Sequence, residues 1–516
     1  MENFAARALE EYNTLTVRPG GVNGSPFWNI NSSQFTFAPA FCFNALPNNA
    51  AWEFLYTATD KNGEKHSFRD KKPTAALTPI WAEIPTGMVT LQVDALNREG
   101  GVITPIGSRT FFKCSPFPGR ENLPERARSY KDAALLAYKY VFEQPMVRHW
   151  LEFGVPYPDF PHNVYPAKTF SSVIRAMITY TKLSPEDADT ALKIARAAAD
   201  YMLSITYGED SPLCGLPPTY CFKGMNVEKV NQVAGAAWGC RNTTMLIYPA
   251  TAGDAYLKLF EATGDKKYYD AAVTIAEYYK AHVQDNGSWY LQLSAETGLP
   301  LTNNYCNYFS ILDFLTNMKN ATGESVWGEL AENYFAYLKK SGIDDFNWEG
   351  QFEDIKPSPA YTNLTHFPAD NMISYLLKNK SDDPEMLETA KELMRFVEDQ
   401  FVVWDEYAPW ISWLCPEVKS PAGLEQYFCY WPIDASGAKI AVTFLEMYEA
   451  TGDKLYFEKA SALCDMLTRM QHSDTGVIPT FWTAKQHFED LLNFWINCHI
   501  GSANALYRLA KITGEI

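Results

Sequence analysis

The chain has 516 residues, of which 47% are hydrophobic and 20% charged, a balance typical of globular proteins. Its 61 acidic side chains outnumber its 44 basic ones, which gives a formal net charge of −17, and the basic residues form no runs. Nucleic acids and anionic membrane surfaces are bound through clusters of Lys and Arg, so this charge argues against both kinds of partner.

The first part of the chain has the pattern of β-structure. Short strand-like stretches alternate with turn signals, among them DKNG at 60–63 and REGG at 98–101. Such spacing predicts a fibronectin-III-like or immunoglobulin-like β-sandwich. Pro116, Pro118 and Gly119 indicate a hinge, so we expect an N-terminal domain of residues 1–118 and a second domain of residues 119–516. The strand-like stretches are 35–43, 51–60, 88–97 and 108–115.

A repetitive helical pattern begins at about residue 125. The segment ATGDKKYYDAA at 262–272 is nearly repeated as ATGDKLYFEKA at 450–460, and ATGESVW at 321–327 is a third copy. In each copy a helix ends at Thr-Gly, and Asp or Glu begins the next helix. Apolar helices precede these turns and amphipathic helices follow them, as at 266–283 and 454–470. The apolar segments are 166–181, 249–262, 306–319, 366–378, 433–449 and 494–510.

Six alternating pairs of an inner apolar helix and an outer amphipathic helix predict a mainly α fold, a closed (α/α)6 toroid. An open helical solenoid is the alternative, but the count of six favours closure. In a toroid the short Thr-Gly turns cover one rim, where we expect no room for a pocket. The long connections to the inner helices emerge on the opposite rim and are rich in Trp and Tyr. An aromatic-lined mouth with a few polar groups is the expected form of a ligand site.

The Thr-Gly-Asp turns and the order of the inner helices make residues 125–516 similar to the six-hairpin glycosidase superfamily. The stretch WEGQFEDI at 348–355, followed by NLTHF at 363–367, resembles the barrel β-glucuronidases of bacteria. This resemblance implies an exo-acting glycoside hydrolase that releases a terminal uronic acid from an oligosaccharide. No cofactor belongs to such a reaction, because glycoside hydrolysis needs two carboxyl groups, one protonated and one ionised.

The densest group of carboxylates on the long-loop rim is Glu349, Glu353 and Asp354, which alternate with aromatic rings. Mutual repulsion and desolvation should raise the pKa of at least one of them, as a general acid requires. Glu353 and Asp354 are therefore the first catalytic candidates, followed by Glu349, Asp159 and Glu425. Three other rim carboxylates lie near predicted helix starts, where helix capping explains them: Asp254, Asp370 and Asp434.

Aromatic, basic and histidine side chains of the same rim are the candidates for substrate binding. A uronic acid carries a negatively charged carboxylate, so its binding site should contain cationic side chains, and Arg is suited to planar carboxylates. His also serves as a general base in barrel-type lyases and epimerases, so a polysaccharide lyase or sugar epimerase using His and Tyr is one alternative. A non-catalytic glycan-binding protein is another. The candidates are His162, Arg241, Trp289, Tyr290, Trp348, Tyr361, His366, Trp410, Trp431, Trp482, Lys485 and His499.

The sequence shows no sign of a metal or nucleotide site. The ten cysteines are scattered without CxxC spacing, and the EF-hand-like start at Asp345 fails because Lys356 stands where a bidentate Glu is required. Signatures of phosphate or dinucleotide binding are missing. No leader peptide and no apolar membrane span are seen, so we expect a cytoplasmic protein. Its expected partners are an oligosaccharide substrate and, at most, a second copy in a homodimer.

Overall fold

The computed structural model describes most of the chain, and two predicted site residues, Asp354 and Lys485, lie outside the described residues. The described residues are 2–18, 28, 31–47, 50–234, 240–353, 356–380, 382–414, 418–482 and 494–516. Within these ranges no helix is long and apolar enough to cross a membrane.

The N-terminal part folds as one five-stranded sheet with two helices. In sheet order the strands run β1-β5-β4-β2-β3, and all neighbours are antiparallel except β1 and β5. Of the stretch 35–43 only Phe35 belongs to a strand, the two-residue β1, consistent with Pro39, which has no N–H to donate to a ladder. The elements are α1 (Phe4–Thr14), β1 (Gln34–Phe35), β2 (Glu53–Thr59), β3 (Lys65–Asp70), α2 (Thr78–Trp81), β4 (Gly87–Leu96) and β5 (Val102–Lys113).

This sheet supports the predicted β-sandwich only in part, because among the described residues no second sheet covers it. Helices cover its apolar face instead, and the sheet and the following helical region share one continuous hydrophobic core. Directly after the edge strand β1, the backbone N–H groups of Thr36 and Phe37 donate to the buried carboxylate of Asp399 in the helical region at 2.6 and 2.7 Å. The division at residue 118 therefore stays a prediction, since the core crosses it.

The remainder of the chain alternates outer and inner helices, as the repeat predicted. The outer helices are α3 (Tyr130–Glu143), α6 (Ala188–Ser204), α9 (Lys266–His282), α11 (Ser325–Leu338), α13 (Pro384–Phe401) and α16 (Lys454–Met470). The inner helices are α5 (Pro166–Leu183), α8 (Ile247–Thr263), α10 (Phe309–Thr322), α12 (His366–Asn379), α15 (Asp434–Thr451) and α17 (Ile496–Ile512). The loops contain α4 (Pro145–Phe153), α7 (Val227–Ala234), α14 (Pro409–Leu414), β6 (Thr243–Met245), β7 (Gln292–Ser294), β8 (Val402–Val403), β9 (Ala422–Gln426) and β10 (Cys429–Pro432).

The inner helices form a closed ring. Each one packs on the next along the chain, and α17 packs back on both α5 and α3. Glu515, which follows α17, strengthens this junction, because its carboxylate accepts from Arg126 at 2.5 Å and from the backbone N–H of Lys131 at 3.0 Å. The closed (α/α)6 arrangement is thereby confirmed, and the open solenoid is excluded.

The Thr-Gly turns have the conformation that the sequence predicted. Gly264, Gly323 and Gly452 follow the last residues of α8, α10 and α15 with φ values of 69°, 74° and 71°. This left-handed region is easily reached only by glycine, so each glycine ends its helix. Asp453 then caps α16 through its side chain, which accepts from the N–H of Leu455 at 2.9 Å.

Candidate active site

The beginnings of the six inner helices meet at the long-loop rim. Side chains in a helix lean toward its N-terminus, so first-turn residues of a ring of inner helices point toward the rim where those helices start. The polar and aromatic residues at these starts are Lys168 (α5), Tyr248 (α8), Tyr308 (before α10), His366 (α12), Asp434 (α15) and Trp495 (before α17).

Glu353 lies at the centre of this group. Its side chain has no exposed surface, and Lys168 donates to its Oε1 at 2.5 Å from a side chain that is 25% exposed. The hydroxyl of Tyr248 donates to Oε2, and the hydroxyl of Tyr220 donates to the Glu353 main-chain oxygen at 2.5 Å. Burial, and next the charge of Glu353, raises the pKa of both tyrosines, so each stays a protonated donor.

Glu425 belongs to the same neighbourhood although it comes from a different loop. It lies on β9, is half-buried, and its Oε2 is 3.6 Å from the thiol of Cys429. Burial raises the pKa of Tyr308 to about 12; Lys168 opposes this shift, and the charges of Glu353 and Glu425 add to it. The negative charges of Glu353 and Glu425 therefore both lie near the hydroxyl of Tyr308. We refer to Lys168, Tyr248, Tyr308, Glu353 and Glu425 as the Glu353 cluster.

The strand that carries Glu425 is held in place by two glycines. A Cβ atom on Gly423 would lie 2.3 Å from the backbone nitrogen of Gly437, in the first turn of α15. No side chain fits in that space, so β9 rests directly on the helix backbone. The glycine thus fixes how close Glu425 comes to the barrel axis.

Glu349 has the raised pKa that was expected in the fourth loop, but the cause is burial and not a neighbouring carboxylate. Desolvation raises the pKa of Glu349 to about 8, against the opposing effect of backbone N–H groups. Its side chain accepts from the hydroxyl of Ser358, and the residue is only 5% exposed. Glu349 is thus a neutral, enclosed carboxyl near neutral pH, beside the Glu353 cluster in sequence but without access to solvent.

Asp159 is not brought into this cluster by any contact among the described residues. Its Oδ1 accepts from the side-chain amide of Asn226 at 2.7 Å, which ties its loop to the start of α7. Of the three carboxylates explained as caps, Asp434 does accept a backbone N–H in the first turn of its helix, from Ala435 at 2.8 Å, whereas Asp254 and Asp370 bond to other side chains. Asp254 pairs with Lys258 at 2.9 Å inside α8, and Asp370 bonds to His366 at 2.6 Å. Asp434 is fully buried and accepts from Ser502 at 2.9 Å, and burial raises its pKa far above the usual range.

Three aromatic candidates are parts of the core and not of the mouth. Trp289, Trp348 and Trp482 are at most 1% exposed, and the indole N–H of Trp289 donates to the Tyr279 carbonyl at 2.8 Å. A side chain without accessible surface cannot contact a sugar, so the structure corrects this expectation. The reason is that a long loop needs its own apolar anchors, and composition does not distinguish these from binding surfaces.

The other aromatic candidates are half-buried but spread over the loops. The ring of Tyr290 stacks on Tyr305 at 4.9 Å, and the hydroxyl of Tyr361 donates to the Asp345 carbonyl at 2.9 Å. Trp410 packs edge-on against Phe112 of the N-terminal sheet at 6.2 Å, and Trp431 packs edge-on against Phe481 at 5.1 Å. Their contacts place them at the rim or at the sheet, not in the Glu353 cluster.

The histidine candidates serve the packing of the ring. Burial lowers the pKa of His162 to about 3 and that of His499 to about 4, so both rings are neutral. His499 accepts from the N–H of Ile478 at 3.1 Å and lies 2.9 Å from the Ala137 carbonyl. His366 is buried between Asp370 and Ser436. Arg241 is exposed in the turn before β6.

Sequence reasoning missed Lys168, Tyr248, Tyr308 and Trp495. Lys168 lies 4.7 Å above the ring of half-buried Trp495, on whose indole His162 stacks at 3.7 Å. One signal was available: Lys168 is the sole cation in the first turn of an apolar helix, where the helix dipole disfavours positive charge. Such a residue needs a carboxylate partner, and Glu353 is that partner.

The Thr-Gly rim also differs from expectation, because it contains a pocket. A cavity of about 970 Å³ runs along the barrel axis and is lined by residues of all six inner helices. Tyr308 forms part of its wall at the inner end, and exposed residues such as Lys378 and Glu449 mark its opening at the turns. The turns are short, but the inner helices diverge enough to leave the axis open.

Comparison with protein-family models gives no match, and neither does comparison with curated proteins. Among solved structures, cellobiose 2-epimerase from Spirochaeta thermophila is 13% identical with a TM-score of 0.48, covering 70% of this chain and 89% of that one. A family 76 glycoside hydrolase from a bovine Bacteroides thetaiotaomicron strain is 10% identical with a TM-score of 0.47, covering 88% and 93%. An unsaturated glucuronyl hydrolase specific for heparin is 11% identical with a TM-score of 0.47, covering 75% and 97%. These similarities are too distant to transfer an activity to this chain.

Proposed function

We propose that this chain is an exo-acting glycoside hydrolase that releases a terminal uronic acid from oligosaccharides, β-glucuronidase-like, by carboxylate acid/base catalysis. The observation that carries the proposal is the enclosed carboxylate of Glu353, bonded to Lys168 and Tyr248 at the ring of inner-helix starts, with Glu425 of a separate loop near enough for both charges to act on Tyr308. Two carboxyl groups on facing elements are what hydrolysis of a glycosidic bond requires.

The surroundings of the two carboxylates suggest different roles. The carboxylate of Glu353 accepts hydrogen bonds from an ammonium group and a phenol hydroxyl. Glu425 is half-buried on the central strand of the small sheet β10-β9-β8. We assign proton transfer to the leaving group to Glu425, and the ionised role to the Glu353 loop, which also carries Asp354.

Lys168 supports a uronic acid as the sugar that is bound. Its ammonium is a quarter exposed, lies over the Trp495 ring and stands at the N-terminal end of α5. A cation above an aromatic face can receive a sugar carboxylate while the ring supports the apolar face of the sugar. In a chain with a net charge of −17, this cation gives an acidic sugar a local partner.

The alternative of a lyase or epimerase is less well supported by the same residues. A catalytic base must be deprotonated before it can accept a proton. Burial raises the pKa of Tyr220 and Tyr248, and it raises the pKa of Tyr308 to about 12, so all three hydroxyls keep their protons at neutral pH. His162 and His499 are buried, neutral and packed against other rings or backbone groups. A purely glycan-binding protein would gain little from several enclosed carboxylates.

The test uses aryl β-D-glucuronides with good and poor leaving groups, together with uronic-acid-terminated oligosaccharides. We expect release of the terminal sugar only, with oxygen incorporated from isotopically labelled water and without the ultraviolet absorbance of an unsaturated uronide. Glu425→Gln should lower kcat by at least about 100-fold on the poor leaving group and less on the good one. Glu353→Gln and Asp354→Asn should show which residue of the fourth loop is needed.

Matched controls are Glu332→Gln, on the exposed face of α11, and Asp159→Asn, which removes a carboxylate that lies outside the Glu353 cluster. Both should keep wild-type kcat and KM. Full activity in Glu425→Gln would refute the assigned role, and a new ultraviolet absorbance in the wild type would replace hydrolysis by β-elimination.

A further inference from the structure

The axial cavity is separate from the Glu353 cluster. The cluster occupies the starts of the inner helices, whereas most of the cavity wall comes from their second and later turns, including Asp254, Asp313, Lys439 and Arg508. Only Tyr308 belongs to both. A volume of about 970 Å³ lies at the upper end of the range of ligand pockets, so the space is large enough for a small molecule with its hydration water.

Most charges on the wall neutralise one another. Asp254 binds Lys258 at 2.9 Å and lies 3.7 Å from Arg175. Arg508 binds Glu446 at 2.7 Å and Glu449 at 2.5 Å. Lys378 and Lys439 have no ion pair among the described residues, but Asp313 lines the same cavity, so the wall does not offer the all-cation group that a phosphate or another strong anion selects.

Three polar side chains on consecutive inner helices are not satisfied in this way. Asp313 of α10 has no hydrogen bond or ion pair among the described residues, and it is exposed to the cavity. Asn371 of α12 has no side-chain hydrogen bond among those residues either. Lys439 of α15 makes one long contact, 3.3 Å to the Ser374 hydroxyl. One side of the cavity thus presents an acceptor, an amide and a cation together.

This combination indicates the chemistry of the ligand. Hydroxyl groups donate and accept, so a polyol can bond to a carboxylate, an amide and an ammonium at once. An apolar ligand is disfavoured because every wall residue except Leu377 and Ala450 has a polar or charged side chain. We propose that the axial cavity is a second ligand site, which takes a neutral, hydroxyl-rich molecule the size of a mono- or disaccharide. The site does not depend on the hydrolytic function proposed for the opposite rim.

Binding of glucose and lactose to the full chain, measured by saturation-transfer NMR and calorimetry, tests the proposal, with inorganic phosphate as the comparison. We expect saturable binding of at least one of the two sugars and none of phosphate. Asn371→Leu and Lys439→Met should each weaken the sugar by about tenfold or more, since each removes a polar partner. Crystals soaked in the bound sugar should show it beside Asp313.

Two further variants distinguish this site from the loop rim. Lys391→Met is the matched control, because Lys391 is a partly exposed lysine of α13 that pairs with Glu388, outside the cavity. This variant and Glu425→Gln should both leave sugar binding unchanged. Thermal midpoints of all variants test whether each is folded. If a variant is not folded, the position of the sugar in the soaked wild-type crystal, beside Asp313 or elsewhere, tests the proposal instead. The proposal is overturned if neither sugar binds, if phosphate binds instead, or if Glu425→Gln abolishes binding while the cavity variants keep it. The last result would leave the proposed hydrolase intact.

Discussion

Replacing Lys168 with Met removes the ammonium group that neutralises Glu353. The substitution keeps the length of the side chain and its contact with Trp495, so the main change is the loss of charge. Glu353 has no exposed surface, and among the described residues the remaining donor to its carboxylate is the hydroxyl of Tyr248. The variant therefore contains a buried carboxylate without a cation.

Breaking a fully buried ion pair on one side costs about 3–5 kcal/mol of the free energy of unfolding. Because 25% of the Lys168 side chain is exposed, solvent already screens part of this pair, and we expect a loss of about 2–3 kcal/mol. Glu353→Gln should cost less, about 1–2 kcal/mol, because the remaining ammonium group can be hydrated and Gln still accepts from Tyr248. The double variant should cost no more than Lys168→Met alone, a coupling of at least about 1 kcal/mol.

Urea denaturation at pH 7 measures these four proteins, with Lys266→Met as a control on an exposed pair of α9. The control should be indistinguishable from the wild type. If Lys168→Met also lies within about 0.5 kcal/mol of the wild type, the burial of Glu353 does not carry the cost assigned to it. Additive single and double variants would likewise refute the coupling.

Three more predictions concern stability and the strand that carries Glu425. Lys459→Met should lower the free energy of unfolding by about 3–5 kcal/mol in urea, because Lys459 and Glu398 form an ion pair with side chains that are 1% and 3% exposed; a loss below about 1 kcal/mol would contradict this. Burial raises the pKa of Glu349 from 4.5 to about 8, so its contribution to stability is complete below pH 4.5 and is lost as the pH rises to about 8. Glu349→Gln should therefore gain stability relative to the wild type between pH 5 and pH 8, by at most roughly 1.4 kcal/mol per pH unit, and equal pH profiles would refute this. Gly423→Ala should cost about 1–3 kcal/mol in thermal unfolding and lower kcat, because the added methyl group pushes β9 away from Gly437, and an unchanged kcat would show that this contact does not place Glu425.

The sequence was sufficient for the barrel because local signals determine it. The Thr-Gly turns require a left-handed residue at Gly264, Gly323 and Gly452, and the apolar periodicity identifies the inner helices to within a few residues. The β-sandwich was predicted less well. Alternating strands describe one apolar face, but they do not say whether a second sheet or a helix covers it, and here helices do.

The site was harder to predict, because its contacts join distant positions. Lys168 and Glu353 are 185 positions apart, and no local pattern connects them. The carboxylates of the fourth and fifth loops were identified from their residue types, whereas the tyrosines and the lysine that surround them were not. Trp289 and Trp482 show the converse limit, since loop tryptophans look alike in a sequence whether they anchor a loop or line a pocket.

The sealed junction between α17 and α3 gives the barrel a property that a linear array of helical hairpins does not have. In an open array the terminal hairpins have one neighbour and fray first, so the array loses its repeats one after another. In a ring, every hairpin is held from both sides, and removing any one of them opens two interfaces at once. Glu515, bonded to Arg126 and to the Lys131 backbone, fastens the end of the chain to the first helix of the circle. We therefore expect the twelve helices to unfold as a single cooperative unit, in which Glu515 supports the start of a helix 384 positions earlier in the chain.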